Sequence, residues 1–150
     1  MDHSIHAAEL FLDGYNCAQA VAVAYCDLTG LTPDFSARMA SSFGGGMGRL
    51  REVCGAVSGM FMVAGLLYGY TNNTDATDKK AHYARIQELA AQFKSEAGSI
   101  VCREILKNPP SDPNPTPRTQ EFYQKRPCAR MVILACQILD RYIQEHPIDT

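Results

Sequence analysis

The chain has 150 residues, 46% hydrophobic and 20% charged, which is enough apolar content for one domain (1–150) with a buried core and no need of disulfide staples. A net charge of −2 with both signs interspersed leaves no basic footprint for nucleic acid and no polybasic patch for anionic lipid. Met1-Asp2-His3-Ser4-Ile5-His6 lacks the basic region and apolar run of a secretory signal. The expectation is a cytoplasmic protein whose six cysteines are thiols, metal ligands or redox centres rather than permanent bridges.

In chain order, His6 to Leu12 reads as a short helix stopped by Gly14, with Ala7, Leu10 and Phe11 on one face. Asn16 can cap a second helix reaching about Tyr25, with Ala18, Val21, Ala22 and Tyr25 at helical spacing and Gly30 as its end. Thr32-Pro33-Asp34 is a cap with proline at the first helical position, opening a third helix that reaches Met39 to Phe43. Asp75 to Ala97 is a long amphipathic helix with Tyr83, Ile86, Leu89, Ala90 and Phe93 inward, ended by Gly98. Ser99 caps a short helix, Ile100 to Leu106. Residues 108–117 hold five of the eight prolines and predict an irregular, exposed crossing. The last helix runs from near Pro127 to about Glu145, burying Val132, Leu134, Ala135, Ile138, Leu139 and Tyr142. No alternating run predicts a strand, so the fold class is all-α, a single-domain helical bundle.

The bundle is expected to surround the uncharged stretch Val53 to Tyr70, entered through Phe43-Gly44-Gly45-Gly46-Met47-Gly48-Arg49-Leu50-Arg51. Its 18 residues would span about 27 Å as a helix, short of a hydrocarbon core of roughly 30 Å. A helix apolar on all sides is what the middle of a helical domain requires, so a buried central helix is preferred to a membrane span. Gly55/Gly59 and Gly65/Gly69 would be contact points for neighbouring helices.

Helical geometry sorts the cysteines. Cys17 and Cys26 are nine residues apart, about 900° of rotation, and so face opposite ways. Cys128 and Cys136 lie about 12 Å apart along one axis. At most one of each pair can join Cys54 and Cys102. Cys17 follows the Asn16 cap, Cys128 follows Pro127, Cys102 lies three residues after Ser99, and Cys54 falls in the first turn after the glycine loop. Unpaired N–H groups at a helix start stabilise a thiolate and lower its pKa, which suits a nucleophile or a metal ligand. Cys26 and Cys136 sit late or mid-helix among apolar neighbours and read as small buried hydrophobes.

Other candidates are weaker. Gly44 to Gly48 lacks the following Lys-Ser/Thr and the preceding strand of a phosphate-binding loop, so a tight turn beside Cys54 is the better reading. Arg49 and Arg51 could hold an anion or steady a thiolate. His3 and His6 lie on a terminus expected to fray, His82 and His146 are expected to be solvated, and Asp75/Asp78 read as helix-start charges.

The order Asn16-Cys17-Ala18-Gln19-Ala20-Val21, then Gly44-Gly45-Gly46-Met47-Gly48, then Cys54-Gly55-Ala56 with Gly59, then single cysteines at 102 and 128, resembles the redox-active C_GCAxxG_C_C family over residues 10 to 140 or so. The Gly-Cys of the family's name stands here as Cys54-Gly55. The resemblance implies four functional cysteines, Cys17, Cys54, Cys102 and Cys128, the same four that helix geometry selects. It also implies a redox partner protein, and membrane association only through a transporter partner.

Four chemistries fit these residues. A redox metal centre, foremost an iron–sulfur cluster, would take Cys17, Cys54, Cys102 and Cys128 as cofactor and metal ligands, although no Cys-x-x-Cys is present and the ligands must converge from separate helices. Dithiol/disulfide exchange needs only two, with Cys54 and Cys17 as the candidate catalytic pair. Structural zinc also suits four thiolates. A helical interaction module with incidental cysteines, paired as a homodimer through the apolar helix, needs none of them.

Overall fold

The computed structural model describes residues 2–148; Met1 and residues 149–150, within the expected 1–150 domain, lie outside the described residues. The chain is all-α. Its helices are α1 (His3–Leu12), α2 (Cys17–Ala24), α3 (Cys26–Thr29), α4 (Pro33–Ala40), the single turn α5 (Gly44–Met47), α6 (Gly55–Tyr68), α7 (Ala76–Ala97), α8 (Cys102–Ile105), α9 (Gln120–Lys125) and α10 (Cys128–Glu145).

Each boundary has a local cause. The Asp2 carboxylate accepts the Ser4 N–H, Thr32 accepts that of Phe35, Asp75 those of Thr77 and Asp78, and Thr119 that of Phe122. Asn16 and Gln19 form a reciprocal capping box at the start of α2. Gly30 and Gly98 take left-handed φ values of 76° and 87° and stop α3 and α7.

Helix α6 packs on α2, α7 and α10, and α1 closes the bundle against α2 and α10. Gly55 to Met60, Val63 and Ala64 of α6 are buried. They meet Val21 and Tyr25 of α2, Leu89 and Phe93 of α7, and Val132, Ile138 and Leu139 of α10 in one core. Each fully buried large apolar side chain contributes about 1.5–3 kcal/mol. Small residues set the spacing: a Cβ on Gly59 would lie 2.8 Å from the Ala18 carbonyl oxygen and 2.9 Å from Val21 Cβ. Glycine therefore lets α2 and α6 approach backbone to backbone.

The structure corrects several expectations. The apolar helix is buried mainly along its first half, and Leu66 is 49% exposed. Tyr83, expected inward, is 53% exposed because Leu89 and Phe93 alone carry the buried face of α7. The N-terminus is docked instead of frayed: His3 is buried, stacked on Tyr25 at 4.1 Å, and bonded to Asp140 (2.7 Å) and Asp27 (2.9 Å). His82 is half-buried, its Nδ1 2.8 Å from Arg85 Nη1, while His146 is exposed. Cys26 opens α3, since α2 breaks at Tyr25. Helix α9 stands where no element was predicted. No strand forms among the described residues, but one isolated antiparallel bridge joins Val53 to Val101.

Candidate functional site: a cavity ringed by thiols and arginines

Cys17 is the first residue of α2, Cys102 of α8 and Cys128 of α10, and Cys54 is the N-cap of α6. Four helix starts, far apart in the chain, open onto one cavity of about 350 Å³ that all four cysteines line. Cys26 and Cys136 are not part of it. Cys26 Sγ lies 3.3 Å from Ser36 Oγ, and Cys136 is fully buried in the core beside Tyr25.

The Val53–Val101 bridge brings two of the thiols together. The Cys54 N–H donates to the Ile100 carbonyl (2.7 Å), and the Cys102 N–H donates to that of Glu52 (2.6 Å). Cys54 and Cys102 thus follow directly on paired residues. Cys17 is brought in by the α2–α6 contact, where Gly55 leaves room for its sulfur; a Cβ there would overlap Cys17 Sγ.

The glycine turn supplies the next wall. Residues 45 to 49 all have positive φ, from 60° to 70°, and Arg51 follows at 62°. Non-glycine residues in this region cost roughly 1–2 kcal/mol each, so Gly45, Gly46 and Gly48 make the run affordable while Met47, Arg49 and Arg51 carry strain. The turn closes with the Glu52 N–H on the Gly46 carbonyl (2.9 Å). Arg49 and Arg51 then line the cavity, and Leu50 between them is 67% exposed.

The proline-rich crossing forms the far wall through Pro113, Pro115 and Thr116. The arginines hold it in place. Arg49 Nε donates to the Asp112 carbonyl (2.7 Å), Arg49 Nη1 to Thr116 Oγ1 (2.9 Å) and Arg51 Nε to the Pro110 carbonyl (2.9 Å). Arg118 and Arg126 line the cavity too. Arg118 donates to the Phe11 and Tyr15 carbonyls and lies over the Phe11 ring at 4.2 Å; Arg126 lies over Phe122 at 5.5 Å.

The electrostatics correct one expectation. Backbone N–H groups do reach the sulfurs, from Gly45 to Cys17 and from Ala56 and Val57 to Cys54, and they pull the thiol pKa values down. Burial is the larger effect, so the Cys17 and Cys54 thiols titrate above the ordinary value, and Cys128 is pushed up to about 12. Charge on Cys17 also raises both Cys54 and Cys128, so these thiols share one electrostatic neighbourhood. At neutral pH these three are protonated unless an occupant takes the proton's place.

Among the described residues, no three His, Cys, Asp or Glu side chains converge on a single ion position. A tetrahedral zinc site, with Zn–S of about 2.3 Å, needs sulfurs roughly 3.8 Å apart. The four thiols instead line one cavity without converging on such a position. All six cysteines are free.

Fold and cavity together define a helical bundle that gathers cysteines from four helix starts around one space. The family model described as "Putative redox-active protein (C_GCAxxG_C_C)" matches residues 15–142, and the chain belongs to this family. Comparison with curated proteins and with solved structures finds no match. The family's spacing has a physical meaning here: Gly55 admits the Cys17 sulfur, Ala56 is fully buried, and Gly59 sets the α2–α6 distance. Sequence reasoning passed over Arg118 and Arg126 as site residues. Arg118 directly precedes the Thr119 cap and Arg126 lies two residues before Cys128, but neither position signals a site, since only the fold turns them inward.

Proposed function

We propose that the chain works as one helical unit whose redox centre is formed by Cys17, Cys54, Cys102 and Cys128, with an iron–sulfur cluster as the loaded form. The observation that carries this is the single cavity lined by all four thiols, each from a different helix start. Donors to Cys17 and Cys54 sulfur from Gly45, Ala56 and Val57 are of the kind that tune such centres. When bound, the cluster would supply one-electron transfer. The chain's own part is to bind it through sulfur, exclude water with the proline wall, and balance its negative charge with the four arginines.

A second reading is dithiol exchange between Cys54 and Cys17, supported by their proximity in one cavity, where charge on Cys17 raises the Cys54 thiol. Two thiols would become a disulfide, with two electrons and two protons passing to a disulfide of a partner protein. A redox partner protein and a homodimer belong to the proposal, and the exposed side chains of Phe35, Leu50 and Leu66 offer apolar contact surface. Among the described residues no helix is long and apolar enough to cross a membrane; membrane contact through a transporter partner is part of the proposal. Free thiols suit the cytoplasm.

Anaerobic purification with absorption spectroscopy and iron, sulfide and zinc analysis tests this. Thiol-dependent visible absorption with iron and sulfide supports the cluster. Colourless, metal-free protein whose thiol count changes on reduction supports the dithiol form. Zinc at one equivalent, or a Cys54→Ser variant indistinguishable from the parent in all these measurements, overturns both.

A further inference from the structure

Four guanidinium groups line the thiol cavity, from Arg49, Arg51, Arg118 and Arg126, and among the described residues no aspartate, glutamate, lysine or histidine does. The hydrogen bonds that Arg49, Arg51 and Arg118 make there go to carbonyls, hydroxyls and sulfur, which satisfy donors without cancelling charge. None of the four is in a salt bridge among the described residues, although the Asp112 carboxylate acts on Arg49 from a distance; of the four, only Arg51 is buried. A buried charge without a counter-charge is costly.

Arg51 makes the case specific. Its side chain is nearly fully buried, at 4% exposure. Nε is used by the Pro110 carbonyl and Nη1 points to Cys102 Sγ at 3.7 Å, but Nη2 is buried with no partner among the described residues. A buried arginine nitrogen left without an acceptor is rare in a folded protein unless an acceptor arrives. The starts of α2, α6 and α10 add the positive ends of three helix dipoles to the same space.

We propose that the cavity binds an oxyanion, seated on Arg51 Nη2 beside Cys102, and that the substrate of the thiol centre is therefore a small molecule carrying such a group. Carboxylate, phosphate and sulfur oxyanions share the planar or tetrahedral oxygens that a guanidinium fork accepts. The apolar body of such a molecule has Phe11, Phe122 and Met131 to lie against, in a volume of the size that small-molecule sites have. This inference rests on the cavity being the working site proposed above, but it needs only the arginines and not the thiols.

The test is calorimetric titration of metal-free, reduced protein with sodium phosphate, sodium sulfate and sodium acetate at constant ionic strength, with sodium chloride as the control. One or more of the three oxyanions binds with a stoichiometry near one, and the response to each identifies the oxygen chemistry preferred. Arg51→Met weakens binding at least tenfold and Arg51→Lys by less, with circular dichroism checking the fold of both. Arg126→Gln, remote from the Pro110 contact, also weakens it. Replacing all four cavity cysteines by serine leaves binding in place, which separates this inference from the redox proposal. No binding by any of the three, equal binding of chloride, or affinity unchanged in both Arg51→Met and Arg126→Gln overturns it, whatever the thiols do.

Discussion

Gly55 stands against the sulfur of Cys17, so closely that a Cβ at position 55 would occupy the space of Sγ. The glycine that follows one cavity cysteine is thus the seat of another, and the motif is a packing arrangement as much as a list of ligands.

Gly55→Ala is therefore expected to displace Cys17 or to part α2 from α6. Overpacking of this kind costs about 1–3 kcal/mol. Urea denaturation should show that loss, and cofactor loading or thiol exchange should fall with it. Gly59→Ala should cost a similar amount through the Ala18 carbonyl and Val21, while leaving the Cys17 sulfur uncrowded.

Serine replacement distinguishes the cavity cysteines from the other two. Cys26→Ser, beside Ser36 Oγ, should leave both stability and the redox signal unchanged. Cys136→Ala, fully buried among core residues, should lower the melting temperature and leave the signal of the remaining folded protein intact. Absorption per folded molecule is the measurement, and a signal lost in either variant would place the centre elsewhere.

Asn16 links helix capping to the site. Its side chain accepts the Gln19 N–H (2.8 Å), donates to the Ser41 carbonyl (3.2 Å) and lines the cavity next to Cys17. Asn16→Ala should cost about 0.5–2 kcal/mol by loss of the cap. It should also speed alkylation of Cys17 in the native protein, read by mass spectrometry, because the start of α2 is no longer tied to the wall.

His3 gives stability a pH dependence. Burial by itself lowers the His3 pKa, but the bonds to Asp140 and Asp27 outweigh it and hold the value above 6.5. A raised folded pKa means that the native state keeps a proton the unfolded chain releases. The stabilisation is full below about pH 6.5 and is lost as pH rises through the folded value. Denaturant midpoints should thus fall between pH 6 and pH 8, and His3→Gln should flatten that slope while costing about 1–3 kcal/mol at pH 6.

The helices were legible in the sequence wherever their signals are local. Asn16, Thr32 and Asp75 cap through their own neighbours, Gly30 and Gly98 need only their own φ, and the apolar spacing of α10 marks its buried face correctly. What stayed hidden depends on residues distant in the chain. The Val53–Val101 bridge is too short to leave an alternating pattern, yet it sets Cys54 beside Cys102. His3 looked terminal because its partners, Asp27 and Asp140, come from other helices. The direction of the thiol pKa shifts followed from cavity burial, which helix position alone could not supply. Arg51 was noticed for its charge, but its burial and its unpartnered Nη2 exist only once the proline crossing has folded over the glycine turn.

That crossing has a consequence for the order of events in the cell. The cavity is bounded by α2 near the start of the chain, by the Pro110–Thr116 wall, and by α10, whose first residue is Cys128. No fragment that lacks α10 contains the complete ring of sulfurs. A four-cysteine occupant of the kind proposed could therefore gain its full set of sulfurs only once synthesis has passed Cys128, so its complete binding and the docking of the C-terminal helix would be coupled.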